Sequence, residues 1–233
     1  MKKWSPMSSK EKRQDALLAV DDLGLVYTDR AEKIRVLEHI NFILPAGRHL
    51  TVVGPSGCGK SSLLRIIAGL QAPTEGTVYF DGREMTGPRP DLAIVFQDYG
   101  LFPWKTVEEN ILLPARLHHQ HLAESEITAL LTQLGLEQVR HHYPGELSGG
   151  QKQRTALGRA MVMKPKLLLM DEPFSALDPA MRRQCQELFK EFIRESKTAT
   201  IIVTHSREEA ASLGEKTLVF ARTGGVIEDV RQN

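Results

Sequence analysis

Gly54-Pro55-Ser56-Gly57-Cys58-Gly59-Lys60-Ser61-Ser62 is the stretch that decides the fold. It fits G-x-x-x-x-G-K-[ST], a loop whose glycines turn the backbone tightly enough to aim successive N–H groups at a polyphosphate. Leu50 to Val53 lead into it as a short apolar strand, and Ser61 to Ala68 lead out as a helical stretch that Gly69 is suited to end. That context matters because a helix N-terminus behind the loop adds its positive dipole end. Lys60 is expected to reach the β- and γ-phosphates of a nucleotide, and Ser61 to put its hydroxyl on Mg²⁺. Ser62 falls within reach of the α-phosphate.

The chain around this loop has 233 residues, enough for one α/β domain or two small ones with a sizeable core. Its 30 basic residues are balanced by 29 acidic ones, so nothing global argues for nucleic acid or a polybasic membrane tether. Two cysteines, Cys58 and Cys185, make no disulfide framework and suit a reducing cytosol. No apolar run approaches the roughly 18 residues of a membrane span, and Met1 to Pro6 lack the apolar stretch of a secretion signal. The chain by itself is expected to be soluble.

Upstream of the loop, residues 1–16 read as a flexible tail, followed by strand-like runs at Leu17–Val20, Gly24–Tyr27 and Arg35–Leu44. Thr77 to Arg83 read as a hairpin with Asp81-Gly82 as its turn. Antiparallel strands are therefore expected around the nucleotide loop. Tyr27, at a strand end, reads from position alone as a half-buried strand aromatic.

Downstream, Leu92 to Phe96 form a second buried-strand candidate ending at Gln97. Asp98 to Trp104 are a loop rich in aromatic residues, which suggests either a docking site for a partner or a loop folded onto its own core. Thr106 to Gln138 are helical and polar-rich. His118, His119 and His121 lie there with no further ligand at metal spacing, and read as a solvated helix face.

Ser148, Gly149, Gly150 and Gln151 then open a helix and form a second anion-binding device. An ordinary serine N-cap would need neither the glycine pair nor the glutamine. Leu167 to Met170 are a hydrophobic strand that ends in Asp171 and Glu172. Two adjacent carboxylates at a buried strand end are costly without a cation, and the strand's alternation aims them differently. One can hold Mg²⁺ through its water shell while the other polarises an attacking water. Ser175 to Asp178 form a turn before Pro179 opens the next helix. Thr200 to Thr204 are a third buried strand, ending at His205. Gln97, Asp171, Glu172 and His205 thus share the C-terminal ends of strands, where open α/β sheets bind ligands.

These residues together resemble the ATP-binding subunits of ABC transporters over nearly all of residues 17–222. In that resemblance Gly54–Ser62 is the Walker A loop, Leu167–Glu172 the Walker B strand, and Leu147–Gln151 the signature. Gln97 falls at the Q-loop, Ser175–Asp178 at the D-loop, His205 at the switch histidine, and Tyr27 at the aromatic residue that stacks on adenine. It implies an α/β fold: a P-loop NTPase core of mostly parallel sheet, an N-terminal antiparallel β subdomain and an α-helical insert near residues 98–163. All of this would form one ATPase domain over residues 17–233. It also implies ATP and Mg²⁺ as cofactors, with Ser61, Gln97 and Asp171 at the metal and Asp178 at the nucleotide interface. Glu172 would polarise water, His205 would bridge to the γ-phosphate, and Lys60 would act on the same phosphate.

The resemblance further implies a head-to-tail homodimer in which each ATP lies between one copy's Walker A loop and the other's Ser148–Gln151. The remaining partners would be an integral-membrane permease touched through Tyr99–Trp104 and a periplasmic or lipid-anchored solute-binding protein, with no nucleic acid. The chain would sit peripherally on the cytoplasmic face of the inner membrane. Phe96 to Trp104, with weaker support from Gly87 to Asp91, looks like the bacterial importers for nitrate, sulfonates and taurine. A regulatory ATPase of the cell-division type, acting on a membrane partner without moving solute, keeps every motif and is the alternative. Ser62 stands where Thr is more usual, and Ser206 where an Asp is common. Cys58, at a helix N-terminus, is expected to be a reactive thiol that Mg-ATP protects.

Overall fold

The structure is a computed structural model that describes residues 16–29, 32–221 and 226–231. The expected tail lies outside them except for Ala16, which is buried.

β1 (Leu18–Asp29) and β2 (Glu32–Leu44) are an antiparallel pair. The two runs expected at Leu17–Val20 and Gly24–Tyr27 are one strand. The polar break between them, Asp21-Asp22, is a register irregularity with Asp22 at φ 48° and its N–H bonded to Asn41 Oδ1 at 2.8 Å. An inserted irregularity of this kind twists a strand without ending it. β3 (His49–Val53) enters the phosphate loop and α1 (Lys60–Ile67) leaves it. β4 (Glu75–Phe80) and β5 (Arg83–Glu84) close the hairpin at Asp81 and Gly82, both at positive φ as a type I′ turn requires.

β6 (Leu92–Val95) precedes the helices α2 (Val107–Leu117), α3 (Glu124–Leu134) and α4 (Gly149–Met161). Then come β7 (Leu167–Asp171), α5 (Pro179–Ser196), β8 (Ala199–Thr204), α6 (Arg207–Leu213), β9 (Lys216–Phe220) and β10 (Val226–Arg231). The strands form two sheets. One is four-stranded, in the order β2-β1-β4-β5; the other is six-stranded, in the order β10-β9-β3-β8-β7-β6. Within the second, β9, β3, β8, β7 and β6 run parallel, and only β10 is antiparallel to its neighbour.

β7 and β8 are buried along their whole length, which is why they read as continuous apolar runs. Period-two alternation sorts their side chains between two cores. Leu167, Leu169, Ile201 and Val203 face a cluster with α1 and the antiparallel sheet. Leu168, Met170 and Ile202 face a second cluster with α4 and α5. A third core lies among the insert helices, around Val107, Ile111, Leu131 and Leu134. Each fully buried leucine contributes about 1.5–3 kcal/mol of transfer free energy. The central sheet is therefore a rigid platform, and the residues at its edge inherit that rigidity.

Candidate functional site

The strand order brings the site together. β3, β8, β7 and β6 lie side by side and parallel. Their C-terminal ends deliver, in that order, the phosphate loop, His205, the Asp171-Glu172 pair and the segment carrying Gln97. Four segments remote in sequence thus reach one edge.

In the phosphate loop, Gly59 caps α1 at φ 98°, and a side chain there would meet Val36 O at 2.8 Å. Only glycine tolerates both conditions. Lys60 is 5% exposed, and its ammonium donates to Gly54 O at 2.9 Å and Pro55 O at 3.0 Å. The cation is thereby folded across the mouth of its own loop. Ser56 and Gly57 are exposed, while Gly54 is packed so closely that a Cβ would meet Cys58 Sγ at 2.8 Å. This contact corrects the expectation for Cys58. The residue is 2% exposed and its thiol belongs to the core beneath the loop, so its side chain is not presented at the loop's surface.

Ser62 Oγ lies 3.5 Å from the Tyr27 hydroxyl, which also exchanges hydrogen bonds with the Gln71 amide at 2.9–3.1 Å. The bonds from Ser62 and then Gln71 hold the phenol below its ordinary pKa. Tyr27 is 41% exposed, so its ring is presented rather than buried. Gln71 was not singled out by sequence; nothing in its local pattern marks it.

Asp171 is buried, and burial pushes its carboxyl above the usual range, with a Ser61 bond opposing and the neighbouring Glu172 charge adding to the rise. Its Oδ1 has no partner among the described residues. A buried, unpaired oxygen beside a serine hydroxyl is a hard donor set, and it fits Mg²⁺ bound together with substrate phosphates. Glu172 stands at φ 44°, with its N–H donating to Val203 O at 2.9 Å and its Oε2 3.2 Å from His205 Nδ1. A non-glycine residue in the left-handed region is strained, and such strain concentrates at functional positions. Gln97 is exposed, two residues beyond β6.

The second anion device is partly explained by local structure. Ser148 caps α4, accepting from Gln151 N at 3.3 Å while Gln151 Oε1 accepts from Ser148 N at 2.8 Å. The glutamine is thus the second half of a capping box, a signal readable as S-x-x-Q. Gly150 is buried, and a Cβ there would collide with Met181 Sδ. Ser148 and Gly149 are exposed. Asp178 is an N-cap too, accepting from Ala180 N and Met181 N at 3.0 Å.

Beside the phosphate loop runs a groove of about 560 Å³ lined by Gly54, Pro55, Ser56, His205, Arg207 and Phe220. Arg207 was missed by sequence reading, although its place two residues after His205 could have found it. No residue of Ser148–Gln151 lines this groove.

The aromatic loop divides between its two expectations. Tyr99 is 8% exposed and packs in the second core, whereas Trp104 is 70% exposed and touches Phe102 with ring centroids 5.5 Å apart. Arg159 of α4 fixes the loop, donating to Tyr99 O and Gly100 O at 2.7 Å each, with its guanidinium over Phe102.

Residues 37–175 match the ABC transporter family. The aliphatic sulfonates import ATP-binding protein of Bacillus cereus is 38% identical over 93% of this chain and 86% of its own length. The nitrate import ATP-binding protein of Synechocystis sp. is 39% identical over 91% of this chain and 80% of its own. Among solved structures, a dimeric ATP-binding cassette in a post-hydrolysis state, bound to ADP and Pi, superposes with a TM-score of 0.83 at 30% identity. That match covers 93% of this chain and 99% of the other.

Proposed function

From the premise that this chain belongs to the ABC transporter family, we propose that it is the ATP-hydrolysing subunit of an importer for small solutes of the nitrate, sulfonate or taurine kind. The chain is an ATPase of that family. The observation that carries the residue-level reading is the Glu172–His205 contact, made at adjacent strand ends next to the phosphate loop.

Hydrolysis then follows phosphoryl-transfer logic, in which positioning and charge stabilisation do most of the catalysis. The backbone N–H groups of Gly54–Ser62 and the Lys60 ammonium cradle the β- and γ-phosphates, Lys60 exchanging its two carbonyl acceptors for phosphate oxygens. Tyr27 stacks on the adenine. Ser61, Asp171 and Gln97 would hold Mg²⁺, which would neutralise phosphate charge. Glu172 takes a proton from the attacking water, and His205 orients Glu172 and reaches the γ-phosphate.

Ser148 and Gly149 are exposed, and the similar cassette bound to ADP and Pi is dimeric, which together support a site completed by a second copy of the chain. Asp178 lies at the same interface. The permease docks at the loop ending in Trp104, whose exposed ring supplies the anchor. A periplasmic or lipid-anchored solute-binding protein delivers the solute, and the chain sits peripherally on the cytoplasmic face of the cell membrane. The import names of the relatives favour uptake over the cell-division alternative. The test is ATP hydrolysis by the purified chain, followed by nitrate and sulfonate uptake into vesicles carrying the chain with its membrane partner. Hydrolysis by the reconstituted complex with no uptake of either solute class would sink the importer assignment.

A further inference from the structure

Glu209 lies outside the groove, on α6, and is 8% exposed. A carboxylate that far from water is unfavourable unless its oxygens are bonded. Both are. Oε2 accepts from the Thr204 hydroxyl, and Oε1 accepts from Gln186 Nε2 at 2.9 Å. Each carboxyl oxygen therefore has a side-chain partner.

The bonds continue around His205. Thr204 Oγ1 also accepts from Ser206 N at 3.1 Å, and Ser206 Oγ accepts from Glu209 N at 3.2 Å. The residues on either side of His205 are therefore both tied to Glu209, one through its side chain and the other through its backbone. Thr204 is 1% exposed, so the tie is anchored in the sheet. His205 itself projects into solvent with 58% of its side chain exposed. Apart from its contact with Glu172, the location of its ring depends on the turn beneath it.

We infer that Glu209 is a positioning residue for ATP hydrolysis: its buried carboxylate locks the His205 turn and joins that turn to α5. The inference rests on the proposed role of His205. Gln186 lies on α5, the helix capped by Asp178, so Glu209 adds a polar link between that helix and the His205 turn to the core they already share. A misplacement of about 1 Å at a reacting group can lower a rate about 10²-fold.

The experiment compares Glu209→Gln, Thr204→Val, Thr204→Ser and Gln186→Leu for ATP kcat and KM. Histidine-¹⁵N spectra accompany the kinetics, with the His205 signals assigned from His205→Ala. Glu209→Gln and Thr204→Val are expected to lower kcat about 10- to 100-fold with KM changed less than about threefold, since the phosphate loop and Tyr27 are untouched. Thr204→Ser, which keeps the hydroxyl, should retain most of the wild-type rate. The His205 Nδ1 signal should move in the two slow variants and stay in place in Thr204→Ser. Adding Glu209→Gln to His205→Ala should slow single turnover no further. Near-normal kcat in both Glu209→Gln and Thr204→Val overturns the inference, as does an added loss in the His205→Ala background. Should Glu209→Gln not fold, Thr204→Val decides, being a hydroxyl-to-methyl exchange of nearly the same shape. If His205→Ala hydrolyses ATP normally, the reading of His205 fails instead. The Nδ1 signal would still decide whether Glu209 sets the ring's place.

Discussion

Glu172 and His205 meet across adjacent parallel strands: Oε2 of the first is 3.2 Å from Nδ1 of the second, at the ends of β7 and β8. The glutamate side chain is 18% exposed and the histidine 58%. The carboxylate is thus the partly enclosed member, suited to hold a water, and the imidazole is the member free to swing toward a phosphate.

Glu172→Gln should keep ATP binding and lower hydrolysis by roughly 10²–10⁴-fold, the usual worth of a positioned base. Phosphate release and nucleotide titration on the same preparation check this. Turnover near wild type would remove Glu172 from catalysis.

The backbone at Glu172, at φ 44°, makes a separate prediction about stability. Glu172→Gly should be more stable than Glu172→Ala by about 1 kcal/mol in urea unfolding, because a Cβ is disfavoured in the left-handed region. Equal stability of the two variants would show that the folded chain does not hold that conformation.

Asp171 carries a carboxyl raised in pKa by burial, so the folded chain holds its proton more tightly than the unfolded chain does. Its burden is absent below the unfolded pKa, grows as pH rises through the folded pKa, and is complete above it. Nucleotide-free Asp171→Asn should therefore be more stable than wild type near neutral pH, with the advantage shrinking on acidification. Mg²⁺-dependent ATP binding should weaken in the same variant. An advantage that grows toward low pH would contradict the assignment.

Ser148→Arg tests the site shared between copies. Monomer affinity for ATP should stay near wild type, since Lys60, Ser61 and Tyr27 are untouched, apart from about 1 kcal/mol of lost helix capping in overall stability. ATP-driven dimerisation, made visible by the slow Glu172→Gln background, should vanish on sedimentation. A double mutant that still dimerises on ATP counts against the shared site.

Trp104 and Tyr99 should separate cleanly. Trp104→Ala should change the stability of the isolated chain by less than about 0.5 kcal/mol, because the ring is 70% exposed. It should weaken membrane-partner association by about 2 kcal/mol. Tyr99→Ala, in the core, should cost about 3–5 kcal/mol of stability. Equal stability losses would assign Trp104 to the core as well.

The edge that carries the proposed site was readable because each of its parts ends an apolar run: Val53 gives way to Gly54, Phe96 to Gln97, Met170 to Asp171 and Val203 to Thr204 and His205. Periodicity sees such endings well. It sees poorly what a side chain does once folded. Cys58 was expected to be a reactive thiol because of its place at a helix N-terminus, but its side chain packs against Gly54 in the core. Gln151 reads as part of an anion-binding device, and its amide also closes a capping box with Ser148. Gln71 and Glu209 act across 44 and 5 residues, on Tyr27 and Thr204, through side-chain bonds that no periodic signal records. Asp21-Asp22 mimicked a turn because an irregularity within a strand and a break between strands have the same polar signature.

The strand order has a consequence for how the chain acquires its site during synthesis. β3, which carries the phosphate loop, pairs among the described residues with β8 and β9 and with no other strand. Both neighbours come from residues 199–220, while β6 and β7 are complete by residue 171. A nascent chain emerging through α5 therefore holds its phosphate loop on a strand whose two flanking partners have not yet been made. Pairings this distant in sequence are slow to form. A chain ended at Ser196 should bind no nucleotide, which equilibrium dialysis can check. ATP is then a ligand of the finished sheet alone, and its binding reports that the last strands have arrived.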